Sequence, residues 1–449
     1  MATWIKDPLA VLVEDGIDAG GGIVVDGSTI IELIPTGHEP SRPVTSQVDA
    51  GDHVALPGLI NTHHHYYQTL TRAFGPALDK ELFPWLKTLY PVWAGLRPED
   101  LRLAAKLAMS ELLLSGCTTS VDHHYVFPKR LSKAIDIEVE VAEELGMRAV
   151  LTRGSMNLSE KDGGLPPEEV VQDDWTILCD SERLVKKHNQ LGDRSGAMID
   201  IALAPCSPFS VTTELMRATA VMAEHLDCRL HTHLAETEDE SRFCQNRFGM
   251  SPLDYLEEQG WLNERAWLAH GVFFSDADIK RLASAGTAIA HCPAANMMLG
   301  SGTCRVVDLQ AAGVPVGLAV DGSASNDSSN LMQEARLAML LQRVSRRSTA
   351  FTQKDALKLA TEGSARCLGR TDIGRIAVGC EADLALFKLD EPRFSGHGDP
   401  LAALVLCGAH RADRVMVAGR WLVEDGLLTG VDLPKLMEAH QKAARRLQA

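Results

Sequence analysis

Pro57-Gly58-Leu59-Ile60-Asn61-Thr62-His63-His64-His65 sets two histidines one residue apart at the end of an apolar run. On an extended strand, residues two apart point the same way, so His63 and His65 face one site while His64 points away. Working outward, three further polar constellations close short apolar runs. They are His231-Thr232-His233-Leu234-Ala235-Glu236, His270-Gly271 and Asp321-Gly322. Eight such runs follow one another: Val54 to Thr62, Thr118 to Asp122, Arg148 to Thr152, Ile199 to Ala204, Arg229 to Leu234, Ala266 to His270, Thr287 to His291 and Val316 to Asp321. Between them lie amphipathic segments such as Pro98 to Leu114, where Leu101, Ala105, Ala108 and Leu112 share a face, and Thr212 to His225. Repeated strand-helix alternation predicts an α/β fold, a parallel (β/α)8 barrel of the TIM type. The constellations then fall at the C-terminal ends of the first, fifth, sixth and eighth strands, where such barrels carry their chemistry.

The 449 residues exceed the roughly 250 that a barrel needs. Two β-branched runs around Asp26-Gly27 read as a hairpin from Gly22 to Ile34, and short strands with glycine turns return in Gly374 to Phe387 and Val415 to Val423. Residues 1–56 and 374–449 are therefore expected to build one small β-sandwich from both termini, with the metal-dependent barrel spanning 57–373 and a charged helix, Leu433 to Gln448, packed on the surface. The Ser155 to Ser181 connection is long enough to be a lid over the barrel mouth.

A formal net charge of -16 without a Lys/Arg-rich block disfavours polyanions, and no nucleic-acid partner is expected. No leader-like N-terminus or run of about 18 apolar residues is present, so the expectation is a cytoplasmic protein without a membrane partner. Ten scattered cysteines with no CxxC pair read as thiols, with Cys117, Cys228 and Cys292 in the core.

Three imidazoles and one carboxylate suit a catalytic ion that keeps one position for water. His63, His65, His233 and Asp321 are the expected ligands of one divalent metal, zinc first, with iron (Fe2+) or manganese (Mn2+) as alternatives. The fourth strand ends in Ala202-Leu203-Ala204-Pro205 with no lysine to bridge a second ion, which favours a single one. Glu236, three residues past His233, is placed to shuttle a proton to a ring nitrogen; the alternative is a helix cap. His270 is expected to hydrogen-bond the attacking water or the oxygen on which charge develops, and Asp321 to accept the water proton as well. His231 shares the face of His233 and is read as a supporting or core residue.

These motifs, together with His291-Cys292-Pro293-Ala294-Ala295-Asn296, Asp321-Gly322-Ser323-Ala324-Ser325-Asn326 and Gly379-Cys380-Glu381-Ala382-Asp383-Leu384, resemble the amidohydrolase superfamily, in its branch of aromatic deaminases and chlorohydrolases, over nearly the whole chain. The resemblance implies hydrolytic removal of an amine from a heterocycle. Tyr66-Tyr67-Gln68 matches the string whose glutamine, in guanine deaminases, reads the purine carbonyl edge, but Cys206-Ser207-Pro208-Phe209 lacks their arginine. The segments His63 to Thr71, Leu82 to Trp93 and Thr118 to Tyr125 look most like bacterial 8-oxoguanine deaminases. That likeness implies a purine substrate, converted as 8-oxoguanine plus water to urate plus ammonia. On this reading Gln68 holds the base edge, Trp85 and Tyr125 wall the ring or pack in the core, His123 reaches the 8-oxo group, and Cys206 leaves room in place of arginine. Guanine or an s-triazine (amino- or chlorohydrolysis) is the alternative substrate, and a non-catalytic binding protein the alternative of another class. A homo-oligomer, dimer or higher, is expected.

Overall fold

The computed structural model describes residues 2–190, 192–347 and 349–449. Eight parallel strands, paired in chain order, form one sheet: β1 (Leu59–Asn61), β2 (Cys117–His124), β3 (Arg148–Ser155), β4 (Ile199–Pro205), β5 (Leu230–Leu234), β6 (Ala266–His270), β7 (Ala288–His291) and β8 (Val316–Leu318). Just beyond β1 the sheet meets its own far edge. Thr62 donates its amide to the Leu318 carbonyl (3.0 Å), and Asp321 donates its amide to that of His63 (3.1 Å). The segments that carry His63 and Asp321 are thereby stitched side by side. Ile60, Val121, Val150, Ala202, Trp267, Ala288 and Ala319 fill the interior, which is a packed core.

The helical jacket forms where periodicity predicts it. Helix Pro98–Leu114 buries Leu101, Ala105, Ala108 and Leu112, and it opens with Pro98 in its first turn, where a missing amide costs nothing. Helix Thr213–His225 is capped by the Thr212 hydroxyl, which accepts from the Leu215 amide.

The run from Val54 to Thr62 is two strands rather than one. His53–Pro57 pairs antiparallel with Leu384–Lys388 in a six-stranded terminal sheet, and only Leu59–Asn61 enters the barrel. The break is at Gly58, where a Cβ would lie 2.1 Å from Thr118 Oγ1 while the amide donates to the Asp383 carbonyl (2.8 Å). A second, four-stranded sheet holds the expected hairpin, Gly22–Asp26 with Thr29–Ile34, together with Ala2–Lys6 and Ser46–Asp49. Ile5, Ile23 and Ile30 from that sheet share a core with Leu384, Leu386 and Met416 from the other.

In the long Ser155 to Ser181 connection, Asn157, Leu158 and Leu165 lie along the 206–212 loop through hydrogen bonds to Ser210 and Phe209. The C-terminal helix Leu433–Gln448 does more than cover surface. His440 Nε2 meets Thr69 Oγ1 at 3.0 Å, and Gln448 donates to the Leu70 carbonyl at 2.7 Å, so the helix grips the short 3-10 turn Tyr66–Thr71 directly after the second histidine. All ten cysteines are free, with Cys117, Cys228 and Cys292 buried. Among the described residues no helix is long and apolar enough to cross a membrane.

Candidate metal centre

Each chemistry-bearing side chain leaves a strand at its C-terminal end, and the backbone there is bent on purpose. Ala235, His270 and Asp321 adopt left-handed conformations, with φ of 53°, 76° and 65°. Such geometry costs a non-glycine residue about 1 kcal/mol or more. It turns Glu236, His270 and Asp321 inward at the ends of β5, β6 and β8.

The structure brings His63, His65, His233 and Asp321 together. His65 Nε2 lies 3.2 Å from His233 Nε2 and 3.3 Å from Asp321 Oδ1, and His63 Nε2 lies 3.4 Å from the same oxygen. Donors about 2.0–2.2 Å from a shared ion stand roughly 3–3.6 Å apart, and these three separations fall within that range. The buried Nε2 of His63 has no hydrogen-bond partner in the protein. Outer hydrogen bonds also fix the ring protons on the far side. His65 Nδ1 donates to the His123 carbonyl and His233 Nδ1 to the Cys206 carbonyl, both at 2.7 Å. His231 Nδ1 donates to the Trp267 carbonyl (2.8 Å), which leaves its Nε2 to accept from His63 Nδ1 (2.7 Å). All three inner Nε2 atoms are thereby left as lone-pair donors. Burial holds these rings neutral: it pushes His65 down to about 4 and His233 to about 3, with His63 also well below its ordinary value. For Asp321 burial opposes the charge, but His270, His65 and His233 outweigh it and keep the carboxyl below its usual range. The donor set thus fits one divalent ion.

His270 and Glu236 stand beside this set. Glu236 Oε2 is 3.5 Å from His270 Nε2, which is 3.9 Å from Asp321 Oδ2. Burial lifts the Glu236 carboxyl to about 7, close to the value that suits a proton shuttle at neutral pH. It is not a helix cap: Thr237 caps helix Glu238–Phe248 by accepting from the Glu240 amide. His270 donates Nδ1–H to Asn296 Oδ1 (2.9 Å), a partner hidden in the His291 to Asn296 motif until the fold places it. Burial works against charge on His270, but Glu236 and Asp321 prevail and raise its pKa.

Above the polar floor is a small cavity. Gln68, Trp85, Tyr125 and Cys206 line it, as do Leu82, Leu86, Tyr90, Phe209, Leu299 and Ser325. Leu82, Leu86 and Tyr90 recur at four-residue spacing on helix Leu82–Trp93, a signal present in the sequence but equally readable as core packing. Gln68 lies against Gly322, where a Cβ would be 2.0 Å from Gln68 Oε1, and that oxygen accepts the Ala324 amide (3.3 Å). His123 is not a cavity residue. Its Nε2 donates to the Ala204 carbonyl (3.0 Å) and its ring stacks on His233 at 4.7 Å, with a ring nitrogen within 4.8 Å of those of His63, His65 and His233. His64 turns outward, its Nδ1 accepting the His65 amide (2.7 Å).

The sequence profile of the amidohydrolase family matches residues 54–422. The chain is 60% identical over 447 residues to an 8-oxoguanine deaminase of Pseudomonas aeruginosa, covering 100% of this chain and 99% of that one. It is 36% identical to a hydroxydechloroatrazine ethylaminohydrolase of Pseudomonas sp. (strain ADP), over 100% and 93% of the two chains. Among solved structures, an atrazine chlorohydrolase from Arthrobacter aurescens TC1 complexed with zinc superposes with a TM-score of 0.93 at 32% identity, covering 98% and 100%.

Proposed function

The chain belongs to the amidohydrolase family, and from that premise we propose that it is a metal-dependent hydrolase of C–N bonds in cyclic amidines that converts 8-oxoguanine and water to urate and ammonia. The observation that carries the substrate is the full-length likeness to the Pseudomonas aeruginosa deaminase. The site geometry supports the chemistry. His63, His65, His233 and Asp321 would hold the ion, and their three imidazole nitrogens and one carboxylate oxygen suit zinc. When bound, the ion supplies Lewis acidity and acidifies water at its open position.

The remaining work falls to the chain. The purine enters with its 2-amino carbon over Asp321 and Glu236, between Trp85 and Tyr125, and the Gln68 amide takes the amino-carbonyl edge. As the water oxygen bonds to C2, the Asp321 carboxylate accepts one water proton and Glu236 delivers its own to the adjacent ring nitrogen. His270, held through Asn296, steadies the charge developing on the new oxygen. The C2–N bond breaks as the proton on Asp321 passes to the leaving amine and the proton of the new C2 hydroxyl returns to Glu236, so that ammonia and the keto purine leave with the water consumed and both carboxyls restored. Cys206 stays a neutral thiol, its pKa pushed up to about 12 by burial, and leaves space beside His233.

Ammonia release from 8-oxoguanine, guanine, isocytosine, S-adenosylhomocysteine and melamine tests the assignment. The expected result is the highest kcat/KM with 8-oxoguanine and urate as product. Turnover of a triazine without any purine turnover would overturn it, as would tight purine binding with no ammonia from any compound.

A further inference from the structure

A cavity built for an oxopurine needs a group that tells 8-oxoguanine from guanine. Gln68 faces an edge that the two bases share, so the difference, an oxygen on C8, needs a donor elsewhere in the wall. The hydrogen-bonding capacity of the lining is mostly spent: His65 and His233 on carbonyls, Ser325 on the Gly322 carbonyl, Asp321 on the Gly322 amide, Glu236 and His270 on each other. Among the described residues that line the cavity, Tyr90 alone carries a fully buried polar atom with no hydrogen-bond partner, its hydroxyl oxygen.

That isolation is costly. A buried hydroxyl left unpaired forfeits about 1–3 kcal/mol, and buried tyrosines normally find a partner. The ring cannot readily swing away to seek one. Tyr90 is 0% exposed, packs edge-on against Trp93 with ring centres 6.0 Å apart, and stands one helical turn beyond Leu86 on the same cavity wall. Burial also raises its pKa well above the ordinary value, so the phenol remains a neutral O–H donor throughout the working pH range.

We propose that Tyr90 is a specificity-determining residue whose hydroxyl donates to the C8 oxygen of the bound purine, a contact guanine cannot make. The inference rests on the proposed reaction and deepens it. A site that provides a buried hydrogen-bonding group rejects the analogue lacking the matching atom, because the group is then left unpaired.

The test compares metal-loaded, full-length wild type with Tyr90→Phe on 8-oxoguanine and guanine. The variant should lose about tenfold or more in kcat/KM for 8-oxoguanine, chiefly through KM, and change by less than about twofold on guanine. Its thermal midpoint should hold or rise, since the change removes an unpaired buried group. Equal losses on both bases, or an unchanged preference, would overturn the role of Tyr90 while leaving the reaction standing. A fall of several degrees in the midpoint would show the hydroxyl to be structurally paired and would also overturn it. If wild type turns over no 8-oxoguanine at all, the reaction and the Tyr90 contact fall together.

Discussion

His231 shows how a residue that never faces the cavity governs one that does. Its two nitrogens are committed in one direction, Nδ1 to the Trp267 carbonyl and Nε2 to His63, and Trp267 stacks on the ring at 4.4 Å. Loss of that acceptor would free His63 to place its proton on the inner nitrogen, where it would oppose an ion. His231→Leu should therefore weaken zinc affinity about 10–100-fold, and His231→Gln, whose amide oxygen can still accept, should retain most of it. Competition with a chromophoric chelator checks both, and equal affinities would refute the relay. At this scale the chain was legible where one spacing carried a meaning. His63 and His65 follow from the period of a strand, and Glu236 from its distance past His233. Tyr90 and Asn296 did not follow, because an aromatic at helical spacing and an asparagine in a loop gain their meaning only from what faces them in space. His123 reads differently for a related reason: its Nε2 is spent on the Ala204 carbonyl and its ring stacks on His233, partners that only the fold brings to it.

Among the elements, the decisive feature is the docking of Leu433–Gln448 on the turn that presents Gln68. The contacts are few and specific: His440 with Thr69, Gln448 with Leu70, and an ion pair from Arg446 to buried Asp100 on helix Pro98–Leu114. Burial holds His440 near 4 and so neutral, which suits a hydrogen bond to a hydroxyl. His440→Ala should loosen the 66–71 segment, raising KM roughly threefold or more with kcat less affected, and speeding amide exchange there while the barrel strands keep their protection. Unchanged exchange at Gln68 would refute the clasp. The strand-helix order was readable from periodicity, and so was the terminal hairpin from its Asp-Gly turn. Gly58 was not readable as a boundary, because an unbroken apolar run looks the same whether it serves one sheet or two. The tail helix was found, but its amphipathic pattern says only that one face is covered, not which turn covers it.

Across the molecule, buried ionisable groups set opposing demands on pH. Burial lifts Glu138, Glu240 and Glu334 to about 8 from an ordinary 4.5, so the folded chain retains protons that the unfolded chain releases, and stability is lost as pH rises through that interval. Burial likewise lowers His124 and His440 to about 4 and His291 to about 3 from an ordinary 6.5, so the unfolded chain takes up protons the folded one refuses, and stability is lost as pH falls below 6.5. Between about 4.5 and 6.5 the two sets offset each other. Above 6.5 the carboxyls act alone, so the thermal midpoint should decline from pH 6.5 to 8.5, and less steeply in Glu138→Gln than in wild type. Scanning calorimetry across that range checks the slope, and a midpoint that rises with pH would refute it. The grip of the C-terminal helix has a last consequence, in the time order of synthesis. Thr69 leaves the ribosome 371 residues ahead of His440, its partner. A nascent chain can thus carry His63, His65, His233 and Asp321 and both sheets' early strands while the 66–71 turn is still unheld, so that this turn is clasped only after the barrel strands have been made.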